Sequence, residues 1–155
     1  MTTASANEKP LTARPAGSAW LRPSERALAP PAAPRPAAPA KVRWVGRFAG
    51  HRHPADLYSD IAAGRTDVIV VDARWAEGYS AEHIPGAINL FCRSIDAVTT
   101  AALRRDAEYV VYCWNESCHA STLAAERLEE LGFRACELHG GLQRWKSEGY
   151  PTERG

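Results

Sequence analysis

Residues 109–133 read YVVYCWNESCHASTLAAERLEELGF, and the order of events in this stretch sets the fold class. Tyr109-Val110-Val111-Tyr112 is a short apolar run rich in β-branched and aromatic residues, the composition of a strand covered on both faces. The run stops on Cys113. A polar loop carrying a second thiol, Cys118, leads into Ser121 to Phe133, where Leu123, Leu128 and Leu131 form one stripe and Gly132 supplies a C-terminal stop. A buried strand passing through a short loop into an amphipathic helix is the repeating piece of a parallel sheet.

The same alternation runs outward in both directions. "VIVV" at 68–71 is a second continuous β-branched run, "AINL" at 87–90 a third strand and "RACEL" at 134–138 a last one; "VRW" at 42–44 can be a short first strand. Pro54 to Ala63 opens with a helix-compatible proline, sets Leu57, Ile61 and Ala62 on one face and stops at Gly64. Residues 95–105 ("IDAVTTAALRR") read as helix, and "GGLQRWKSEGY" as a short terminal one. The fold class is α/β, with helices on both faces of a parallel sheet.

Residues 1–41 form a separate segment. Of the 11 prolines, 8 fall in the first 40 residues, alongside 12 alanines, ending in "LAPPAAPRPAAPA". Prolines at that density remove backbone donors and push their neighbours to extended geometry, so a disordered, polyproline-like arm is expected before a globular domain at 42–155. A docking arm and an organellar transit sequence are the functional alternatives. The 40 residues carry five Lys/Arg against two Asp/Glu, a charge of +3, which leaves −2 on the remainder of a chain whose net charge is +1.

That balance offers no case for nucleic acid or an anionic membrane as partner, and no apolar run approaches the roughly 18 residues of a membrane span. The N-terminus "MTTASANEKP" lacks a basic region followed by an apolar core, so a cytoplasmic location is expected. Four cysteines in such a chain point to thiol chemistry, metal binding or packing.

In an open parallel sheet, ligands bind beyond the carboxyl ends of the strands, which singles out Asp72 to Arg74, Phe91 to Arg93, Cys113 to His119 and His139 to Gly141. At these points "VVDARWAEGYSAEHIPGAINL" (70–90) resembles the D-x-R then G-H-I-P-G-A signature of rhodanese-like domains, and "VVYC", "LGF" and "HGGLQRW" follow in the family's order. The resemblance covers about residues 50–151 and implies a five-stranded rhodanese-like fold and sulfurtransferase chemistry. In that chemistry a cysteine after the central strand takes a sulfane sulfur as a persulfide and passes it on. Cys113 matches that catalytic cysteine. No cofactor is implied. The implied partners are a small sulfur donor such as thiosulfate and a thiol or cyanide acceptor, which can be a protein.

Elementary chemistry points to the same residue. A thiol at the tip of a buried strand, facing a helix N-terminus, meets unpaired N–H groups and the positive end of the helix dipole, which favour a thiolate. The active-site loop Trp114-Asn115-Glu116-Ser117-Cys118-His119 departs from the common family pattern. It is two residues longer and contains neither Arg nor Gly, resembling a bacterial branch with a second cysteine. Glu116 would repel an anionic donor.

Cys118 is either a resolving or second thiol or a loop residue covering the helix N-terminus. The uninterrupted C-x4-C spacing is unusual for a redox pair and favours a loop that holds the thiols apart. Arg74 either pairs with Asp72 or Glu77 or assists substrate binding. His83 and Asp72 read as structural hydrogen-bonding groups, Trp145 as an apolar anchor, and Cys92 and Cys136 as packing residues. Cys113, Cys118, His119 and His139 could converge on zinc, but one C-x4-C pair does not make a structural zinc motif, and no metal is expected. The rival functions are a catalytically idle rhodanese-like binding or regulatory module and, more remotely, a phosphatase or arsenate reductase. The latter needs a cationic clamp that the loop lacks.

Overall fold

A computed structural model of the protein describes residues 50–155. The expected arm at 1–41 and the strand at 42–44 lie outside the described residues. Nine elements follow one another: β1 (His51–Arg52), α1 (Pro54–Ala62), β2 (Val68–Asp72), α2 (Ala76–Ala81), β3 (Ile88–Asn89), β4 (Glu108–Tyr112), α3 (Ala120–Glu130), β5 (Arg134–Leu138) and α4 (Gly141–Ser147). The five strands make one parallel sheet in the order β1-β5-β4-β2-β3. β4 and β2 lie at its middle, in register from Val68 opposite Glu108 to Asp72 opposite Tyr112.

Side-chain alternation along the strands sorts the interior into two layers. Ile69, Val71, Tyr109, Val111 and Ala135 point to one face and meet Ala124, Ala125 and Leu128 of α3. Val68, Val70, Val110, Tyr112, Cys136 and Leu138 point to the other and meet Leu57 and Ile61 of α1 and Leu142 and Trp145 of α4. The expected five-stranded parallel sheet with helices on both faces is therefore what the chain forms. Within α1, Pro54, Leu57 and Ile61 are buried, whereas Ala62, expected on the same face, is exposed. No helix among the described residues is long and apolar enough to cross a membrane.

Two local expectations need correction. Residues 95–105 are turns, not a helix. There Asp96 accepts from the backbone N–H groups of Val98 and Thr99 at 2.9 and 2.8 Å, and the Thr99 and Thr100 hydroxyls bond back to Ser94 and Asp96 carbonyls. These short polar side chains offer the backbone a turn instead of a helix. Conversely, α2 has no counterpart in the sequence reading. It buries none of its residues, so it has no apolar stripe to betray it.

Candidate active site

Cys113 is the first residue beyond β4. Cys113 continues the alternation that sends Tyr109 and Val111 to the α3 face, and its residue is only 1% exposed. The loop then turns back on itself: the Asn115 side chain accepts from Ser117 N–H at 3.0 Å, and the Asn115 carbonyl accepts from Cys118 N–H at 3.1 Å. This turn brings the Cα of Cys118 to 6.2 Å from that of Cys113, and the two sulfurs are joined as a disulfide. The expectation that the loop holds the thiols apart is thus overturned. A C-x4-C spacing says nothing about the path of the loop, and an asparagine-centred turn shortens that path.

The other end of the loop is pinned by α4. Leu142 and Gln143 donate their backbone N–H groups to the carbonyls of Cys113 and Trp114, both at 2.9 Å. Such an approach needs a glycine at 141. Gly141 sits at φ +56°, and a Cβ there would lie 2.6 Å from the Cys113 carbonyl oxygen.

Beneath the loop lies a network that ties the ends of β2, β3 and β4. Asp72, fully buried, accepts from the Tyr112 hydroxyl at 2.6 Å and from the backbone and guanidinium of Arg74. Asn89 bridges the carbonyls of Asp72 and Arg74. Burial, with the Asp72 charge beside it, pushes the Tyr112 hydroxyl well above its ordinary pKa. Burial works against the charge of Arg74, but Asp72 outweighs it and the guanidinium stays above its usual value. Arg74 also donates to the Glu82 carbonyl and lies 5.5 Å from the centre of the half-exposed Trp114 ring. Of its two expected roles, the structure shows the Asp72 pair, in which the guanidinium braces the strand ends. Glu77 is not its partner.

Glu116, exposed on the loop, faces His139 at 3.3 Å, with the rings of His51 and His53 packed edge-on against His139. An open groove of about 490 Å³ runs along this flank between the loop and α4, lined by Asn115, Glu116, Ser117, Gly140, Gln143, Arg144, Ser147 and Glu148. His119 occupies the N-cap position of α3 but makes no side-chain cap. Cys92 sits in the α3-side core beside Ile88 and Ile95. Cys136 is buried in the opposite layer, and burial, reinforced by Glu108, pushes its thiol up to about 12. Among the described residues no three His, Cys, Asp or Glu side chains gather as a metal site.

The rhodanese-like domain family model matches residues 53–148, most of the folded region and both layers around this loop. The chain belongs to the rhodanese-like family. Among its relatives is a tRNA sulfurtransferase of Desulfurococcus amylolyticus, 33% identical over an alignment that covers 68% of this chain and 23% of that protein. The thiosulfate sulfurtransferase GlpE of Coxiella burnetii is 29% identical over 57% of this chain and 79% of its own length. A crystal structure from Bacillus halodurans superposes with a TM-score of 0.66 at 39% identity, covering 67% of this chain and 76% of that one. The chain spans less than a quarter of the tRNA sulfurtransferase but most of GlpE.

Within the rhodanese-like frame, several residues fall where the sequence had put them. His83 is buried and bonds through Nδ1 to the Tyr79 carbonyl at 2.7 Å, and Trp145 is fully buried with its indole N–H on the Pro151 carbonyl. The sequence reading missed Gly141 as the glycine that lets α4 reach the loop, and Tyr112 as the hydroxyl above Asp72. The "HGG" of residues 139–141 was the available signal for the first. Tyr112 was read only as strand.

Proposed function

We propose that this rhodanese-like domain is a sulfurtransferase in which Cys113 carries sulfane sulfur as a persulfide from thiosulfate or a related donor to a thiophilic acceptor. In its reduced form the Cys113 thiolate attacks the outer sulfur of thiosulfate. The S–S bond of the donor breaks, sulfite leaves with the electron pair, and a persulfide remains on Cys113. A cyanide or thiolate acceptor then takes the outer sulfur and returns Cys113 to the thiolate.

The observation that carries this reading is the position of Cys113: at the carboxyl end of the central strand, against Cys118, which lies two residues before an 11-residue helix whose leading N–H groups have no intrahelical partner. Such a setting lowers a thiol pKa and holds an anion. Sulfurtransferases among the relatives support the same reading. With Arg74 committed to Asp72, the loop has no arginine to clamp a phosphoryl group, and the phosphatase reading gains nothing from the geometry.

The test is mass spectrometry of the full chain carrying Cys118→Ser, which removes the loop's second thiol, reduced, desalted and mixed with thiosulfate. One added sulfur, about 32 Da, on the peptide containing Cys113 is expected. A chain that takes up no sulfur, or takes it on Cys92 or Cys136, overturns the proposal.

A further inference from the structure

The bond between Cys113 and Cys118 joins the carrier sulfur itself to a second thiol, and the loop is built to keep them together. Both of its ends are held: Cys113 and Trp114 by the N–H groups of Leu142 and Gln143, and Cys118 by the Asn115 turn. The Cα separation of 6.2 Å lies inside the roughly 4.4–6.8 Å that a disulfide spans. Cys113 is buried, whereas Cys118 is partly exposed.

We infer that Cys118 is a catalytic residue that resolves the Cys113 persulfide, making the domain a sulfide-releasing thiosulfate:dithiol reductase. This rests on the reading of Cys113 as the sulfur carrier. The Cys118 thiolate attacks the inner sulfur, Sγ of Cys113. The bond from that Sγ to the sulfane sulfur breaks, the sulfane sulfur leaves with the electron pair as hydrosulfide, and the 113–118 disulfide forms. Attack on the outer sulfur would instead move the persulfide to Cys118 and leave no bond between the two cysteines. Inner attack leaves the same Cys113–Cys118 pairing that the structure holds.

Tethering favours this route over a diffusing acceptor, because an oriented neighbouring nucleophile acts at a very high effective concentration. Regeneration needs two electrons, supplied by an external dithiol. One of its thiols attacks Sγ of Cys118, the partly exposed member of the pair, and the Cys113 thiolate leaves with the electron pair. The second thiol then closes the donor's own disulfide and frees Cys118. Over the cycle, thiosulfate and a dithiol give sulfite, hydrosulfide, a proton and the oxidised dithiol.

The test is a single turnover of the full chain, reduced, freed of reductant and given one equivalent of thiosulfate. The wild type is expected to release close to one equivalent of sulfide, to end as the 113–118 disulfide and to show no lasting persulfide. Cys118→Ser, and Cys118→Ala as a second variant, are expected to retain the added sulfur on Cys113 and to release sulfide about tenfold more slowly or less. A wild-type persulfide that outlives the measurement as it does in both variants overturns the resolving role and leaves the carrier reading standing. No added sulfur on either variant, with no sulfite released, overturns both.

Discussion

The carbonyl oxygen of Cys113 lies 2.6 Å from the point where a Cβ on Gly141 would sit. The start of α4 is thereby packed directly onto the backbone of the candidate active-site loop, and Cys113 is held by a helix that begins 28 residues further along the chain.

Gly141→Ala tests that contact. The new methyl group collides with Cys113 O and crowds Asn115 N and Trp114 C at 3.1 Å, and the positive φ costs a further ~1–3 kcal/mol. The substitution is expected to lower stability by about 2 kcal/mol or more in urea unfolding and to slow sulfur loading of Cys113. A variant with wild-type stability and loading would show that the loop does not depend on this approach.

Cys113→Ser is expected to abolish persulfide formation and thiosulfate:cyanide sulfurtransferase activity. Its unfolding free energy should stay within about 1 kcal/mol of the reduced wild type, because the hydroxyl occupies nearly the same volume. Activity surviving in this variant would move the chemistry to another thiol.

The pair of Glu116 and His139 bears on an anionic donor. Removing the loop carboxylate with Glu116→Gln is expected to lower KM for thiosulfate about two- to fivefold with little change in kcat, the scale of one exposed charge interaction. His139→Ala, which uncovers Glu116, should shift KM the opposite way. If KM is insensitive to both changes across low and high salt, the donor does not pass this flank.

Alkaline pH probes the core. The Cys136 thiol and the Tyr109 hydroxyl are both pushed up to about 12, first of all by burial. Each is neutral in the fold and ionises more readily once unfolded, so the stability it contributes is fully present below its unfolded pKa and is lost as pH rises to the folded value. That places the loss between about pH 9 and 12 for Cys136 and between about 10 and 12 for Tyr109. Urea midpoints should fall across this window, and Cys136→Ser should flatten the part that begins near 9. An unchanged slope in the variant would show that Cys136 does not titrate there.

Much of the fold was legible because its signals are local. The β-branched runs at 68–71 and 109–112 become strands since a backbone covered on both faces needs apolar residues at every position, and Val68 to Val71 and Tyr109 to Tyr112 are all buried. The same locality misled at 95–105. That stretch read as helix, whereas Asp96, Thr99 and Thr100 satisfied the backbone through their side chains. It was silent on α2, which contributes nothing to the core.

The candidate site divides along the same line. Cys113 could be picked out from one strand, one loop and one helix, because a strand tip facing a helix N-terminus is a local arrangement that adjacent residues specify. The partners of that loop come from distant parts of the chain. Arg74 was open between two roles until the fold set it against Asp72 below Tyr112, and nothing in "HGGLQRW" states that Gly141 must touch Cys113. Whether Cys118 meets Cys113 depended on the turn at Asn115 and on α4 pinning the loop from across the sheet. Residue spacing limits how far apart two thiols can be; only the packing of elements distant in sequence decides that they meet.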